Sequence, residues 1–530
     1  MENHNKQKNK GITGLWNRIR KSQGIIPFPV VVVLLVLLLA AEILFSLLVV
    51  HLGILPGQYI ALICVVLAAI DAGVLALLGN KKCGRKRYVT GLIVTMLMLI
   101  VLVPGSYFIN NADNALQKLT RESEQWEEYS VIASKDSAAE SVSDIRGKTV
   151  YVLGSEDKMS VEAREKLVTE ADVELNDKEK DIVSLGSRIW DEKGISHDDL
   201  VLMSESQYDM VCEQIKGYKK NSKIIFTEKV MRRSDKYSSD VDVTKDPFNV
   251  YITGIDVWGD IDKVSRSDVN MIVTINPQTR TILLTSMPRD SYVPLHSFGQ
   301  LDKLTHSGIY GVDETLNTVT DWLGVDFDYY VKVNFSMVVK LIDAMGGIAV
   351  YSDHEFTSSV KPQYTYFKGE NHLGGYRALY FARERHSFEK SDEDRIKNQQ
   401  KVMEGIIKKI TTHKEILLNY DELLGIVAEN MATNFSDRDF KRLARMQLSD
   451  MDTKWTVETY SIDGDDASRG TYSMGMGREL FVSLPKEESV EKAKEKIHDV
   501  MYPAQSEEEQ QPDDLGDLLL DQQQNTEEGK

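Results

Sequence analysis

Cysteine is scarce in this chain of 530 residues: Cys64, Cys83 and Cys212 are all it has. Cys64 falls in an apolar run, Cys83 in a basic loop and Cys212 alone in the polar remainder. No disulfide can close within that remainder, and no cysteine-based zinc site is suggested. The ten histidines show no zinc-ligand spacing. No Ser-His-Asp signature, Gly-rich phosphate loop or internal repeat stands out. A cleaved signal peptide is not expected either, because three apolar runs follow one another.

Those runs are the first feature present. Residues 30–50, 58–78 and 90–109 are each apolar for long enough to cross a bilayer. The tail 1–29 carries Lys6, Lys8, Lys10, Arg18, Arg20 and Lys21. The loop 79–89 carries Lys81, Lys82, Arg85, Lys86 and Arg87, whereas His51–Gly57 has no Lys or Arg. The positive-inside rule places tail and second loop in the cytoplasm and everything after about Asn110 outside, in a multi-pass protein of the cell membrane. The cytoplasmic parts are too small for a DNA-binding domain, and anionic lipid explains their charge, so nucleic acid is not an expected partner. Glu42 and Asp71 sit inside two of the runs, where a protonated carboxyl hydrogen-bonded between helices is the preferred reading.

Net charge is −18, unevenly spread. Residues 506–530 hold nine carboxylates and one Lys and read as a disordered acidic tail. Residues 111–128 are polar, with a helical look, and read as a stalk. Alternating strand and helix patterns follow over 129–235, predicting a small α/β accessory domain. A second domain is expected over 246–500. It begins with strand Asn249–Ile255 and a hairpin, Val269–Ile275 and Arg280–Met287, turning at Asn276-Pro277-Gln278-Thr279. "DETLNTVTDWLG" and "SMVVKLIDAMGG" read as helices with glycine stops, "DYYVKVNF" and "IAVYS" as strands. Asp392–Ile410 reads as an amphipathic helix with Ser391 as its cap. The fold class is α/β, a mixed sheet flanked by helices.

The hairpin "SRSDVNMIVTINPQTRTILLTSMPRDSYV" gathers charge at one end. With Asn276 opposite Thr279, Arg266 falls opposite Arg289. Like charges so paired are destabilising unless an anion lies between them; the alternative is that each pairs with a nearby carboxylate, Asp268 or Asp290. "ALYFARER" reads as a strand with Leu379, Phe381, Arg383 and Arg385 on one face, and Arg suits bidentate phosphate contacts. Asp392, Arg395 and Gln399 share a helix face, and "LDKLTHSG" puts Lys303 and His306 in a loop or short helix. Asp256 ends one strand and Asp268 begins another. Mg²⁺ commonly takes one or two carboxylates plus substrate phosphates. From the residues alone the reading is a membrane-tethered, extracytoplasmic protein that handles phosphate.

These motifs, occurring in order over Asp246–Ile410, resemble the LytR-CpsA-Psr family. The three-span start and extra domain resemble its CpsA-type branch. The resemblance implies a phosphotransferase that moves a glycopolymer phosphate from a polyprenyl-pyrophosphate lipid to peptidoglycan, in capsule or teichoic-acid attachment, with a Gram-positive bacterium as the expected source. It implies that Asp256 and Asp268 hold Mg²⁺, or Mn²⁺ instead. It implies that Arg266, Arg289, Arg383 and Arg385 bind pyrophosphate, with Asp392, Arg395, Gln399 and Lys303 around them. Asp256, Asp268, Arg266 and Arg289 are the expected catalytic set. Implied partners are the lipid-linked glycan, peptidoglycan, membrane lipid and other polysaccharide-assembly proteins. Two departures stand out: Gly-Tyr-Arg at 375–377 and Ile396-Lys397 replace residues frequent in the family, and Arg377 adds charge. A polyprenyl-pyrophosphate hydrolase and a non-enzymatic sensor or scaffold are the alternatives. None of the implied ligands lies in 129–235, so that domain is expected to serve partner choice rather than the chemical step.

Overall fold

Three apolar helices lead the chain: α1 (Phe28–Leu52), α2 (Gly57–Gly79) and α3 (Arg85–Leu119). The computed structural model describes residues 28–79, 85–119, 124–154, 157–179, 181–233, 239–388, 391–413, 420–450 and 453–503. Most of the N-terminal tail, residues 80–84 of the basic loop and the acidic tail 506–530 lie outside the described residues. All three helices are long and apolar enough to cross a membrane. Glu42 of α1 is buried, with Asp71 of α2 as its neighbouring carboxyl, a contact between helices. Helix α3 runs ten residues beyond the expected end of its span.

The stalk reading needs correction. Its first part continues α3 as a helix, but residues 124–128 already belong to β1 (Glu124–Ser134). The accessory domain therefore starts five residues before the predicted boundary. The chain continues through α4 (Val142–Ile145), β2 (Thr149–Leu153), α5 (Lys158–Ala171), β3 (Glu174–Glu179), α6 (Ile182–Ser187), β4 (Leu200–Ser204), α7 (Glu205–Gln214), α8 (Tyr218–Asn221) and β5 (Ser222–Arg233). The five strands form one mixed sheet in the order β3-β2-β4-β1-β5. Alternate residues of β1 sort to opposite faces: Val131 and Ala133 pack with Ala163 and Leu167 of α5, while Ile132 packs with Met210 and Val211 of α7.

The next unit is built on β6 (Phe248–Ile255), β7 (Ser267–Asn276), β8 (Thr281–Met287), β9 (Tyr292–Pro294) and β10 (Leu301–Lys303). It continues with α9 (Leu304–Ser307), α10 (Val312–Leu323), β11 (Tyr329–Val333), α11 (Phe335–Ala344), β12 (Ile348–Ser352), β13 (Phe356–Thr357), β14 (Thr365–Tyr366) and β15 (Gly369–Leu373). It ends with α12 (Gly375–Arg383), α13 (Ser391–Thr412), α14 (Tyr420–Asn430), β16 (Met431–Thr433), α15 (Asp437–Ser449), β17 (Thr456–Ser461), β18 (Gly464–Thr471), β19 (Gly475–Pro485) and α16 (Glu487–Met501).

The central sheet has six strands in the order β16-β11-β6-β7-β8-β17, parallel at β11/β6 and β8/β17 and antiparallel elsewhere. Period-two alternation divides its side chains. Tyr251, Ile272 and Leu283 face α10 and α16, meeting Leu316, Val319, Ala493 and Ile497. Val250, Met271, Val273 and Leu284 face the other way, toward Met403 and Ile407 of α13 and Phe440 of α15.

The hairpin register differs from the expected one by two residues. Asn276 stays in the ladder opposite Thr281, and the loop is Pro277–Arg280 with Arg280 left-handed at φ 56°. The Asn276 side chain causes this, accepting from the backbone N–H of Gln278 (3.0 Å) and Thr279 (3.1 Å). A shift of two preserves every side chain's face, so the core is as expected. Arg266, however, is not opposite Arg289.

A second correction concerns "ALYFARER". Residues 375–383 are a helix, α12, and only Glu384 and Arg385 are outside it. Ala378, Leu379 and Phe381 are buried while Tyr376 is 49% exposed, a spacing that a short helix satisfies as well as a strand. Gly375 lets α12 begin hard against α11: a Cβ there would sit 2.1 Å from the Val339 carbonyl oxygen.

A candidate anion-binding mouth on an apolar cavity

Between the sheet and helices α11, α12 and α13 lies a cavity of about 260 Å³. Its depth is apolar, with Ile252, Met271, Val333, Val338, Val402 and Ile406 among its walls. Its mouth is charged. The ends of β6 and β7 supply Asp256 and Asp268, the end of β8 supplies Arg289, and the end of α12 supplies Arg383 and Arg385. Arg395 and Gln399 descend from α13. Seven predicted site residues thus meet at one opening. Arg266, Lys303 and Asp392 do not line it. A separate cleft of about 440 Å³, with His372, Lys408, Lys409 and His413 on its walls, holds none of the predicted residues.

The strand ends are held firmly. Ser267 and Asn270 hydrogen-bond each other through side chains (2.7 Å), Ser267 meets Thr253 at 2.6 Å, and all three are buried. This set fixes the first residues of β7 and with them Asp268. Gly254 allows the close approach of β6 and β7 at the bulge there, since a Cβ would lie 2.8 Å from Val269.

Ion pairs then order the mouth. Arg289 donates through Nη1 to Asp268 Oδ1 at 2.8 Å, and Thr305 donates to the same oxygen at 3.0 Å. Asp290, 3.5 Å from Arg289 Nε, is held on its other oxygen by Lys303 at 2.9 Å. Arg383 stands 3.5 Å from Asp256 and lies over the Phe335 ring at 4.3 Å. Asp392 accepts from Arg385 Nε at 2.8 Å and lies 3.2 Å from Arg395. Lys303 and Asp392 therefore act one step back, bracing the groups that reach the cavity. Arg266 makes a fork-to-fork pair with Glu213 of α7, at 2.8 and 3.0 Å.

The pairing is incomplete in one direction. Arg395 is only 7% exposed, and its Nε has no acceptor; the buried Nε of Arg289 has none either. Burial first, then the neighbouring Arg289, pushes Arg395 down to about 10. A guanidinium stays charged at any working pH, so Arg395 is a cation held out of water and crowded by Arg289 and Arg385, with Asp392 offsetting part of the cost. Burial also works against Arg289, but Asp268 and Asp290 hold it raised. Asp290 is held below the usual carboxylate range, because Lys303 and Arg289 outweigh the upward push of its burial. Asp256 is raised, by burial first and by the Asp268 carboxylate second, although Arg383 pulls it down. The mouth can accept an oxyanion on its arginines and a cation between its two carboxylates.

The sequence reading did not include Thr305 in the site, nor Glu213. Thr305 follows the singled-out Lys303 by two residues, a usable signal. Glu213 lies 53 residues from its partner in another domain, and no local pattern announces it.

Comparison with known proteins adds an independent line. The chain matches the model of the LytR_cpsA_psr family over residues 211–495, just over half its length. The polyisoprenyl-teichoic acid–peptidoglycan teichoic acid transferase TagU of Enterococcus faecalis is 34% identical over 221 residues, covering 41% of this chain and 71% of the relative. The protein of the same name from Bacillus cereus is also 34% identical over 221 residues, 42% of this chain and 70% of its own. Among solved structures, Bacillus subtilis TagV has 27% identity, covering 48% of this chain and 98% of its own, with a TM-score of 0.41. TagT bound to LIIa-WTA has 26% identity, covering 51% and 96%, with a TM-score of 0.40.

Proposed function

The chain belongs to the LytR-CpsA-Psr family, and from that premise we propose that it transfers a phosphate-linked glycopolymer from a polyprenyl-pyrophosphate carrier to peptidoglycan. The transferred polymer is a capsular polysaccharide or a teichoic acid. The supporting observation is one cavity whose mouth carries Arg289, Arg383, Arg385 and Arg395 and whose depth is apolar. That combination suits an amphiphile with a pyrophosphate head and a prenyl tail.

In this reading a peptidoglycan hydroxyl attacks the phosphorus that carries the glycan. A new phosphodiester forms, the P–O bond to the lipid-side phosphate breaks, and polyprenyl phosphate leaves, with the proton lost by the hydroxyl ending on that phosphate or in water. The arginines orient the pyrophosphate and stabilise the charge that grows on the leaving oxygen. The guanidiniums of Arg289 and Arg395 that line the cavity take phosphate oxygens, Gln399 adds a neutral donor, and Arg266 reaches in from the rim. Asp392 and Asp290, with Lys303, keep these forks aimed. At about 260 Å³ the cavity takes the head end of the prenyl chain and excludes water there.

Asp256 and Asp268 fit a divalent cation. Both reach the cavity, and the Asp268 carboxylate disfavours the charge on Asp256, which a cation beside them would relieve. Among the described residues no group of three or more potential metal ligands is gathered, so phosphate oxygens and water would complete the shell, as Mg²⁺ or Mn²⁺ prefers. A cation there would neutralise and polarise the pyrophosphate.

The membrane orientation belongs to the same proposal: Lys81–Arg87 faces the cytoplasm and the cavity faces outward. An impermeant thiol reagent on whole cells should label Cys212, after denaturation if needed, and leave Cys83 untouched. The functional test is incubation of the purified protein with lipid-linked glycan, Mg²⁺ and peptidoglycan. Wall-linked product supports the transferase. Free phosphorylated glycan makes it a hydrolase, and neither product leaves a non-enzymatic scaffold of polysaccharide assembly.

A further inference from the structure

The phosphate-binding arginine farthest from the cavity is also the one held by the other domain. Arg266 closes the loop between β6 and β7, which opens with Asp256. The accessory domain grips this loop along its length. Trp126 of β1 donates its backbone N–H to the Asp262 carbonyl (3.0 Å), accepts from the Val264 N–H (2.8 Å), and bridges Lys263 in parallel β fashion. Its indole N–H donates to Asp260 (2.9 Å). Val264, 1% exposed, belongs to the accessory core beside Tyr129, Val131 and Val230. Lys263 pairs with Glu205 at 2.5 Å, and Glu213 takes Arg266 in the two-point contact described above. From the opposite side Lys332 donates to the Lys263 carbonyl at 2.8 Å, and Gly308 lies against the backbone of Ser265 and Ser267. The loop is held between two domains and belongs structurally to both.

Accessory and catalytic units also share apolar interior. Leu295, Ile309, Tyr310 and Met474 are buried in the same cluster as Ile182, Met210 and Val211 of the accessory domain. Gln125 receives the Val312 N–H (3.1 Å), and Arg232 donates to the Tyr310 carbonyl (3.2 Å). This is not a tethered module able to swing away without exposing core.

We propose that the accessory domain is a working part of the phosphate site, with Glu213 as the residue that positions Arg266. The inference rests on the transferase reading of the cavity and assigns the extra domain a place in it. Exposed ion pairs contribute little to stability, and this one is partly exposed at both ends, with side chains 27% and 51% accessible. Its consequence is geometric. The guanidinium has five N–H donors; Glu213 takes one from each Nη and leaves Nε–H and one more on each Nη. Arg266 can therefore hold Glu213 and a phosphate oxygen together, with its fork already aimed. Asp256, Asp268 and Arg289 lie within electrostatic reach of that guanidinium, so the fork is next to the mouth although outside the cavity wall. This replaces the expectation that residues 129–235 are dispensable for the chemical step.

The test uses the full-length protein in detergent and four variants: Glu213→Gln, Glu213→Asp, Arg266→Ala, and Glu213→Gln with Arg266→Ala. Transfer kinetics, melting temperature and the Kd of farnesyl pyrophosphate are read for each. Glu213→Gln should lower kcat about tenfold with an unchanged melting temperature, since small misplacements of a binding group carry costs of this order. It should weaken farnesyl pyrophosphate severalfold. Glu213→Asp should recover part of both losses, and Glu213→Gln should add nothing once Arg266 is Ala, because the two act as a unit. A gain in kcat or affinity on removing Glu213 would overturn the proposal, for the carboxylate would then be competing with phosphate. Equal losses with and without Arg266 would overturn it too. If the unmodified protein binds no pyrophosphate, the transferase reading itself falls; if it binds and Glu213→Gln changes nothing, only the positioning role falls.

Discussion

The two faces of the central sheet come from the same strands and end differently. On one face Tyr251, Ile272 and Leu283 meet α10 and α16 in a continuous core. On the other, Met271 and Ile252 line a cavity that α11, α12 and α13 leave over β6 and β7. Helix α13 stays close to the neighbouring strands β8 and β17, where Gln400 donates to the backbone carbonyls of Leu284 and Tyr460. Alternation makes both faces apolar. Whether an apolar face becomes core or ligand cavity is decided by the helices that cover it. Charge follows the same division: the guanidiniums and carboxylates gather at the open end of the second face.

Substitutions can break this comparison. The largest stability effect belongs to the closed face. Leu283→Ala, fully buried, should cost about 2–5 kcal/mol by denaturant melts, while the Kd for a prenyl pyrophosphate in the surviving folded fraction stays unchanged. At the open face the largest effect is on rate. Arg289→Ala should lower transfer about 10²–10³-fold, and Arg289→Lys should recover little of it for want of a second donor; a melting temperature that falls while turnover holds would reduce Arg289 to a structural residue.

Arg395→Met should move stability the opposite way. The folded value, about 10, lies well below the ordinary guanidinium range, so the folded state disfavours the charge. That cost is present in full below about pH 10 and fades as pH rises above it toward the ordinary guanidinium value. At neutral pH the substitution should therefore stabilise the free protein, by about 1–4 kcal/mol, the range seen when buried charged groups are replaced by apolar side chains. It should also shrink the rise in melting temperature that pyrophosphate produces. A less stable Arg395→Met protein would show that the charge is already balanced without ligand. The smallest effect sharpens the contrast directly. Val402→Phe, into the cavity, should leave stability within about 1 kcal/mol yet weaken prenyl binding. The matching Val319→Phe, in the packed face, should cost about 1–3 kcal/mol from overpacking.

What could be read in advance depended on range. Strands β6, β7, β8 and β11 declare themselves by alternation over a few residues, and α10 and α11 by their glycine stops at Gly324 and Gly346. The hairpin register was lost to one side chain, Asn276, whose hydrogen bonds kept it in the ladder and moved the turn onward. Helix α12 was misread because Leu379, Phe381, Arg383 and Arg385 satisfy period two, while Ala378, Leu379 and Phe381 satisfy a helix equally. Arg383 and Arg385 still reach the same mouth, because the chain leaves the helix at Glu384. The expected face-sharing of Asp392, Arg395 and Gln399 on a helix was a local property; that Asp392 would brace two arginines, and not line the cavity, was not.

By itself the sequence determined which segments are apolar enough for a membrane, which strands alternate, and which segments carry the arginines and carboxylates of the candidate site. Each of these follows from composition and spacing within one element. Only the tertiary structure decided that α13 and the sheet enclose a cavity, that Arg395 and Arg289 keep buried donors without an acceptor, and that Glu213 holds Arg266 from another domain. Those outcomes depend on where distant elements pack. Packing is settled by the summed burial of many residues, and no short run of sequence records that sum.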